Sequence, residues 1–140
     1  DIYSPHIKPL EGLKELLDAA SEDGFLIGLA TSAPPENVEF VLEKTKLRKY
    51  FTEITDDSQI SRGKPDPEIF ITTAGKLGID PSGSIVFEDS FYGIEAGKKA
   101  GMKVVAVAST HQPDKLKHAD RVIINFSEID IKELDSLMNE

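Results

Sequence analysis

The stretch Ser84-Ile85-Val86-Phe87-Glu88-Asp89-Ser90-Phe91-Tyr92-Gly93-Ile94-Glu95-Ala96-Gly97-Lys98-Lys99-Ala100-Gly101-Met102-Lys103-Val104-Val105-Ala106-Val107-Ala108 decides the fold. A short apolar run ends in two acids. A helical segment follows from about Ser90 to Ala100 and stops at Gly101, and a second apolar run begins at Lys103. Continuous rather than alternating apolar runs mark strands covered on both faces, as in a parallel sheet. Two such strands need a crossover between them, and crossovers of this kind are right-handed. Within the helix, Gly93, Ala96, Gly97 and Ala100 form a small-residue face that lets it lie close to the sheet.

The same unit of helix, glycine and apolar run recurs on either side. Leu10, Leu13, Leu16, Leu17 and Ala20 have helical spacing, Gly24 stops them, and Phe25-Leu26-Ile27-Gly28-Leu29-Ala30-Thr31 reads as a buried strand. Pro34 and Pro35 suit the first turn of the next helix, with Val38, Val41 and Leu42 inward. Phe51–Thr55 is a short strand and Asp56–Gly63 a polar loop. Pro67 opens a helix with Ile69, Phe70, Thr73 and Leu77 inward, closed by Gly78. Arg121–Phe126 is a last short strand, and Ile131–Met138 a final helix. The expected fold class is therefore α/β, a doubly wound parallel sheet in a single domain over residues 1–140.

Composition narrows the function. The 140 residues carry 16 basic and 25 acidic side chains, a net charge of −9, so nucleic acid is not an expected partner. No apolar run approaches the roughly 18 residues of a membrane span, so no membrane partner is expected either. Cysteine is absent, which removes disulfides, thiolate metal sites and cysteine nucleophiles and suits a cytoplasmic location. His6, His111 and His118 lack metal-ligand spacing and read as surface residues.

Open parallel sheets bind ligands beyond the carboxyl ends of their strands. There the topology gathers Thr31-Ser32, Lys64 in Arg62-Gly63-Lys64-Pro65-Asp66-Pro67, and Glu88-Asp89-Ser90. Each has an ordinary explanation: Thr31 or Ser32 as a helix cap, Lys64 as a solvated loop lysine, and Glu88-Asp89 as complements to a helix N-terminus. Together they also suit a pocket for a phosphoryl group and a hard cation such as Mg²⁺. Asp56-Asp57 reads as the end of a strand and the start of a loop.

The motifs resemble those of the haloacid dehalogenase-like hydrolases, in the β-phosphoglucomutase and phosphoglycolate phosphatase branch. Ile27–Ser32 resembles that family's second motif, Gly63–Phe70 its third, and Val86–Ser90 with Gly93–Met102 its fourth. The resemblance implies a Mg²⁺-dependent phosphatase or phosphomutase that acts on a small phosphorylated metabolite through an aspartyl-phosphate. It implies that Thr31 and the Ser32 N–H bind the phosphoryl group and that Lys64 neutralises its charge. Asp89 would bind Mg²⁺, and Glu88 would bind it or orient its waters. The alternative from the residues is a non-catalytic α/β module that binds phosphate or a partner protein on the same rim.

The family's Asp-x-Asp-Gly-Thr/Val motif is absent from this sequence. By the resemblance, the chain is expected to lack the central first strand and the mobile cap domain, and to be an inactive fragment. The vacated slot would lie between the strands ending at Thr31 and Glu88. It is expected not to stay open: either another copy (by strand exchange or as a dimer) or a separate N-terminal piece inserts a strand, or the flanking strands pair directly.

Overall fold

The computed structural model describes residues 11–108 and 113–140. Among the described residues, five parallel strands and five α-helices alternate, except that the last two strands follow one another with no α-helix between them. They are α1 (Leu13–Glu22), β1 (Gly28–Ala30), α2 (Pro35–Thr45), β2 (Glu53–Thr55), α3 (Glu68–Leu77), β3 (Ile85–Glu88), α4 (Phe91–Lys99), β4 (Lys103–Val107), β5 (Arg121–Ile123) and α5 (Ile131–Met138). Among the described residues, no helix is long and apolar enough to cross a membrane.

The strands form two sheets, β1–β2 and β3–β4–β5, all paired in parallel. β4 has a neighbour on each side, and Val104, Val105 and Ala106 on it are fully buried. The core divides into two clusters. One packs α1, α2 and α5 residues such as Leu17, Leu42 and Leu137 against Leu29, Val105 and Val107. The other packs α3 and α4 residues such as Ile69, Phe70, Ile94 and Ala96 against Val86, Val104 and Ala106. Helices therefore cover both sheet faces, as the continuous apolar runs require. The small face of α4 does approach the sheet: a Cβ on Gly97 would come within 2.7 Å of Val104 Cγ2. α1 starts at Gly12, whose φ of 84° lies in the left-handed region. A Cβ there would also meet the Ser127 backbone N at 2.3 Å.

The expected strands are shorter than their apolar runs. Phe25–Thr31 yields only Gly28–Ala30, and Arg121–Phe126 yields only Arg121–Ile123. Residues 124–128 leave the sheet because Asn125 and Glu128 form a reciprocal capping box around a 3-10 turn.

The structure corrects the expectation that the strands flanking the slot close it by pairing. β1 and β3 belong to different sheets, and among the described residues the slot between them is open. A cavity of about 460 Å³ occupies it. Residues 27–30 and 84–89 form its walls, with α1 residues on one face and Phe70, Thr73, Ala74 and Leu77 of α3 on the other. Helices α1 and α3 line the gap between the two sheets on opposite faces.

Candidate functional site

Three loops meet at the carboxyl ends of the strands. The first follows β1. Thr31 is buried; its N–H donates to Thr55 O at 3.0 Å, and its hydroxyl accepts the Ala33 N–H at 3.1 Å. The hydroxyl thus closes a turn two residues ahead rather than capping α2, whose N-cap is Pro34 without a side-chain bond. Ser32 is exposed at the tip of that turn.

The second loop follows β2. Asp56 caps a 3-10 turn with Gln59, matching the expected strand end at Asp56-Asp57. The Glu68 carboxylate then accepts the N–H groups of Ser61 and Arg62, and Asp66 accepts that of Glu68. These bonds fix both ends of the segment that carries Lys64, whose peptide bond to Pro65 is cis. Lys64 is no solvated loop lysine. Its side chain is 11% exposed, its ammonium lies 5.4 Å from the Phe70 ring centroid, and it donates to Glu88 Oε2 at 2.8 Å.

The third loop joins β3 to α4. Glu88 is the last residue of β3, and its side chain is 2% exposed. Its Oε2 belongs to Lys64. Its Oε1 accepts from Asp89 N at 3.0 Å, Ser90 N at 3.3 Å and Ser90 Oγ at 3.2 Å. A buried carboxylate needs this degree of satisfaction to stay charged. Burial by itself would raise its pKa. The Lys64 ammonium and the hydrogen bonds from Lys64 and Asp89 act the other way and favour the charged carboxylate. Asp89, half-buried, is pushed up from 3.8, chiefly by burial and further by the hydrogen bond and charge of Glu88. The adjacent acids therefore sit in unequal surroundings.

Glu88 fits only because residue 93 has no side chain. A Cβ on Gly93 would lie 2.1 Å from Glu88 Cδ. Ser90 completes the arrangement, since its hydroxyl also accepts the Gly93 N–H at 3.0 Å as the cap of α4.

The structure brings Lys64, Glu88 and Asp89 together. Thr31 and Ser32 stand across the slot, on the loop that leaves its opposite wall. Among the described residues, no hydrogen bond or ion pair links them to Lys64 or Asp89. Sequence reasoning assigned Gly93 to helix–sheet packing and missed its role beneath Glu88; the five-residue spacing from acid to glycine was the available signal. It also missed that His118 stacks on Phe91, with ring centroids 4.4 Å apart, and is half-buried rather than on the surface. His6 and His111 lie outside the described residues.

A divalent cation such as Mg²⁺ needs hard oxygen donors. Asp89 and Glu88 supply hard oxygens, but Glu88 has both oxygens engaged. Among the described residues, no group of three or more His, Cys, Asp or Glu could hold a metal. Mg²⁺ usually takes only one or two protein carboxylates and keeps its waters.

Comparison with known proteins gives this rim a context. Residues 2–107 match the family model described as haloacid dehalogenase-like hydrolase. A phosphorylated carbohydrates phosphatase of Thermotoga maritima is 35% identical over 102 residues, covering 73% of this chain and 47% of that protein. A beta-phosphoglucomutase of Bacillus subtilis is 34% identical over 123 residues, covering 88% of this chain and 52% of its own length. Among solved structures, a haloacid dehalogenase-like (HAD) hydrolase of family IA, variant 3, from Entamoeba histolytica superposes with a TM-score of 0.90 at 30% identity, covering 95% of this chain and 62% of that one. This chain therefore spans about half to three-fifths of these three relatives. With matching motifs, fold and family model, the chain belongs to the haloacid dehalogenase-like hydrolases.

Proposed function

We propose that this chain supplies the phosphate- and cation-binding half of a Mg²⁺-dependent phosphatase or phosphomutase acting on a small phosphorylated metabolite. The 2.8 Å bond between Lys64 and the buried Glu88 carries the reading, because it fixes an ammonium on the acid that ends β3, one residue before Asp89. Named relatives act on phosphorylated carbohydrates, which supports a phosphorylated sugar or polyol as the substrate class.

In this reading Lys64 neutralises a phosphoryl oxygen as charge builds in the transition state. Glu88 holds that ammonium in place. The Thr31 hydroxyl and the Ser32 N–H face the phosphoryl group from the other wall. Asp89 holds Mg²⁺, with Glu88 lining the side of its waters. The cation, when bound, offsets phosphoryl charge and orients the phosphate. The family resemblance adds an aspartyl-phosphate, and no Asp-x-Asp-Gly motif in these 140 residues can form it. The isolated chain is accordingly proposed to bind without turning over. The slot is proposed to take a strand from another polypeptide.

The test is a titration of the chain with orthophosphate and Mg²⁺, followed by backbone NMR. The amides of Thr31, Ser32, Lys64 and Asp89 should shift together with one affinity. Shifts confined to one loop would overturn the shared site, and steady hydrolysis of p-nitrophenyl phosphate would overturn the inactivity.

A further inference from the structure

Helix α3 begins without a side-chain cap of its own, because its N-cap is Pro67. The carboxylate of Glu68, its first residue, reaches back along the chain instead. Glu68 Oε1 accepts Ser61 N–H at 3.0 Å and Arg62 N–H at 2.7 Å, and Oε2 accepts Ser61 N–H at 3.1 Å. An acid in a first turn ordinarily complements the positive end of its own helix. Here its hydrogen bonds go to the loop that carries Lys64. Within that loop Asp66 N–H bonds Gly63 O at 3.0 Å, which turns the chain through Lys64 and Pro65, and Asp66 Oδ1 accepts Glu68 N–H at 3.0 Å. Two residues further along α3, the buried Phe70 places its ring 5.4 Å from the Lys64 ammonium. A single helical turn therefore meets Lys64 twice: Glu68 holds the backbone before it, and Phe70 lies against its head group.

We infer that Glu68 is a positioning residue for Lys64, acting through the Ser61 and Arg62 amides. A lysine head group sits on a flexible four-carbon stem, so its place is only as fixed as the backbone beneath it. Glu88 does not move to meet it. Glu88 Oε1 is held by the N–H groups of Asp89 and Ser90, so the 2.8 Å bond from Lys64 to Oε2 depends on where the loop puts the lysine. An ionised carboxylate is suited to the task, since its bonds to backbone N–H groups are roughly twice as strong as neutral ones. The consequence for phosphate binding rests on the function proposed above, whereas the placement of the ammonium does not.

The test uses the whole chain and reads two signals. One is the proton–nitrogen cross-peak of the Lys64 ammonium, identified by its loss in Lys64→Met. The other is the Kd for orthophosphate. Glu68→Ala should broaden the Lys64 peak beyond detection and raise that Kd about tenfold, the scale on which a supporting partner acts at a charged site. Glu68→Gln should restore both, because its amide oxygen can take the two N–H groups now bonded to Oε1. Glu68→Asp keeps the charge but falls one methylene short, and should behave as Glu68→Ala does. It carries the test if the alanine variant does not fold. Asp80→Ala removes a comparable bond to Ser82 N–H in the turn before β3 and should change neither signal. An unchanged Lys64 peak in Glu68→Ala or Glu68→Asp would mean that Glu88 places the ammonium alone, and would overturn the inference. Absence of the peak from wild type would overturn it too, as would its loss in Asp80→Ala or a Glu68→Gln variant as impaired as Glu68→Ala. If orthophosphate fails to bind wild type while the Lys64 peak still follows residue 68, the proposed function fails and the positioning role holds.

Discussion

Phe25–Thr31 and Lys103–Ala108 are both continuous apolar runs, and on sequence alone they promise equal strands. The structure treats them unequally. The second gives a five-residue strand with three fully buried residues, whereas the first gives three residues and leaves Leu26 51% exposed. β4 has a partner on each side and β1 has one. Strand length and burial are thus set by neighbours as much as by side chains. The chain joins a well-paired half, β3–β4–β5, to a weakly paired half, β1–β2, and at the rim the Lys64–Glu88 ion pair ties them.

Cutting that tie should give the largest effect. Glu88→Ala leaves a buried ammonium without its partner, and urea unfolding should register a loss of about 3–5 kcal/mol. A loss below about 1 kcal/mol would mean that the halves are held by apolar packing alone.

Matched truncations in the two halves sharpen the contrast. Leu116→Ala empties a fully enclosed site in the well-paired half and should fall near the upper end of the roughly 2–5 kcal/mol range. Leu29→Ala only enlarges a cavity that already exists and should fall near the lower end. Equal losses by calorimetry would erase the proposed difference between halves.

The smallest effect belongs to Asp120, which fastens α4 to β4 by accepting from Lys98 Nζ at 2.8 Å and Val104 N at 2.7 Å. Burial opposes its ionisation, but Lys98 and the Val104 N–H outweigh burial and lower its pKa from 3.8. A lowered folded pKa contributes stability that is present above the unfolded value and lost as pH falls through the folded one. Asp120→Asn should therefore cost about 1 kcal/mol at neutral pH. The gap to wild type should close in thermal melts below about pH 4. A gap that widens in acid would reverse the sign of the argument.

The order of elements was legible because apolar runs, glycine stops and proline starts agree along the chain. The helix over Ile131–Met138 matches to the residue. Strand ends were less legible. Side-chain caps such as Asn125 with Glu128 compete with pairing over a few residues, and an apolar run does not record that competition. At the site, Glu88-Asp89 could be placed at a strand end from sequence. What could not be read was which acid would be buried, since that depends on Lys64 arriving from 24 residues away. Direct pairing of the flanking strands, one of the outcomes expected, fails for a similar reason. Pairing of β1 with β3 was weighed as an edge-to-edge matter, while helices α1 and α3 line the gap on opposite faces.

The contact beneath Glu88 also restricts how this sequence can drift. A methyl group at position 93 and a glutamate at position 88 claim the same volume, with only 2.1 Å between the would-be Cβ and Glu88 Cδ. The two positions are therefore epistatic. A larger residue at 93 becomes admissible only after the acid at 88 is shortened, which would draw the carboxylate back from Lys64. Any lineage that keeps this ion pair inherits a glycine one turn into α4.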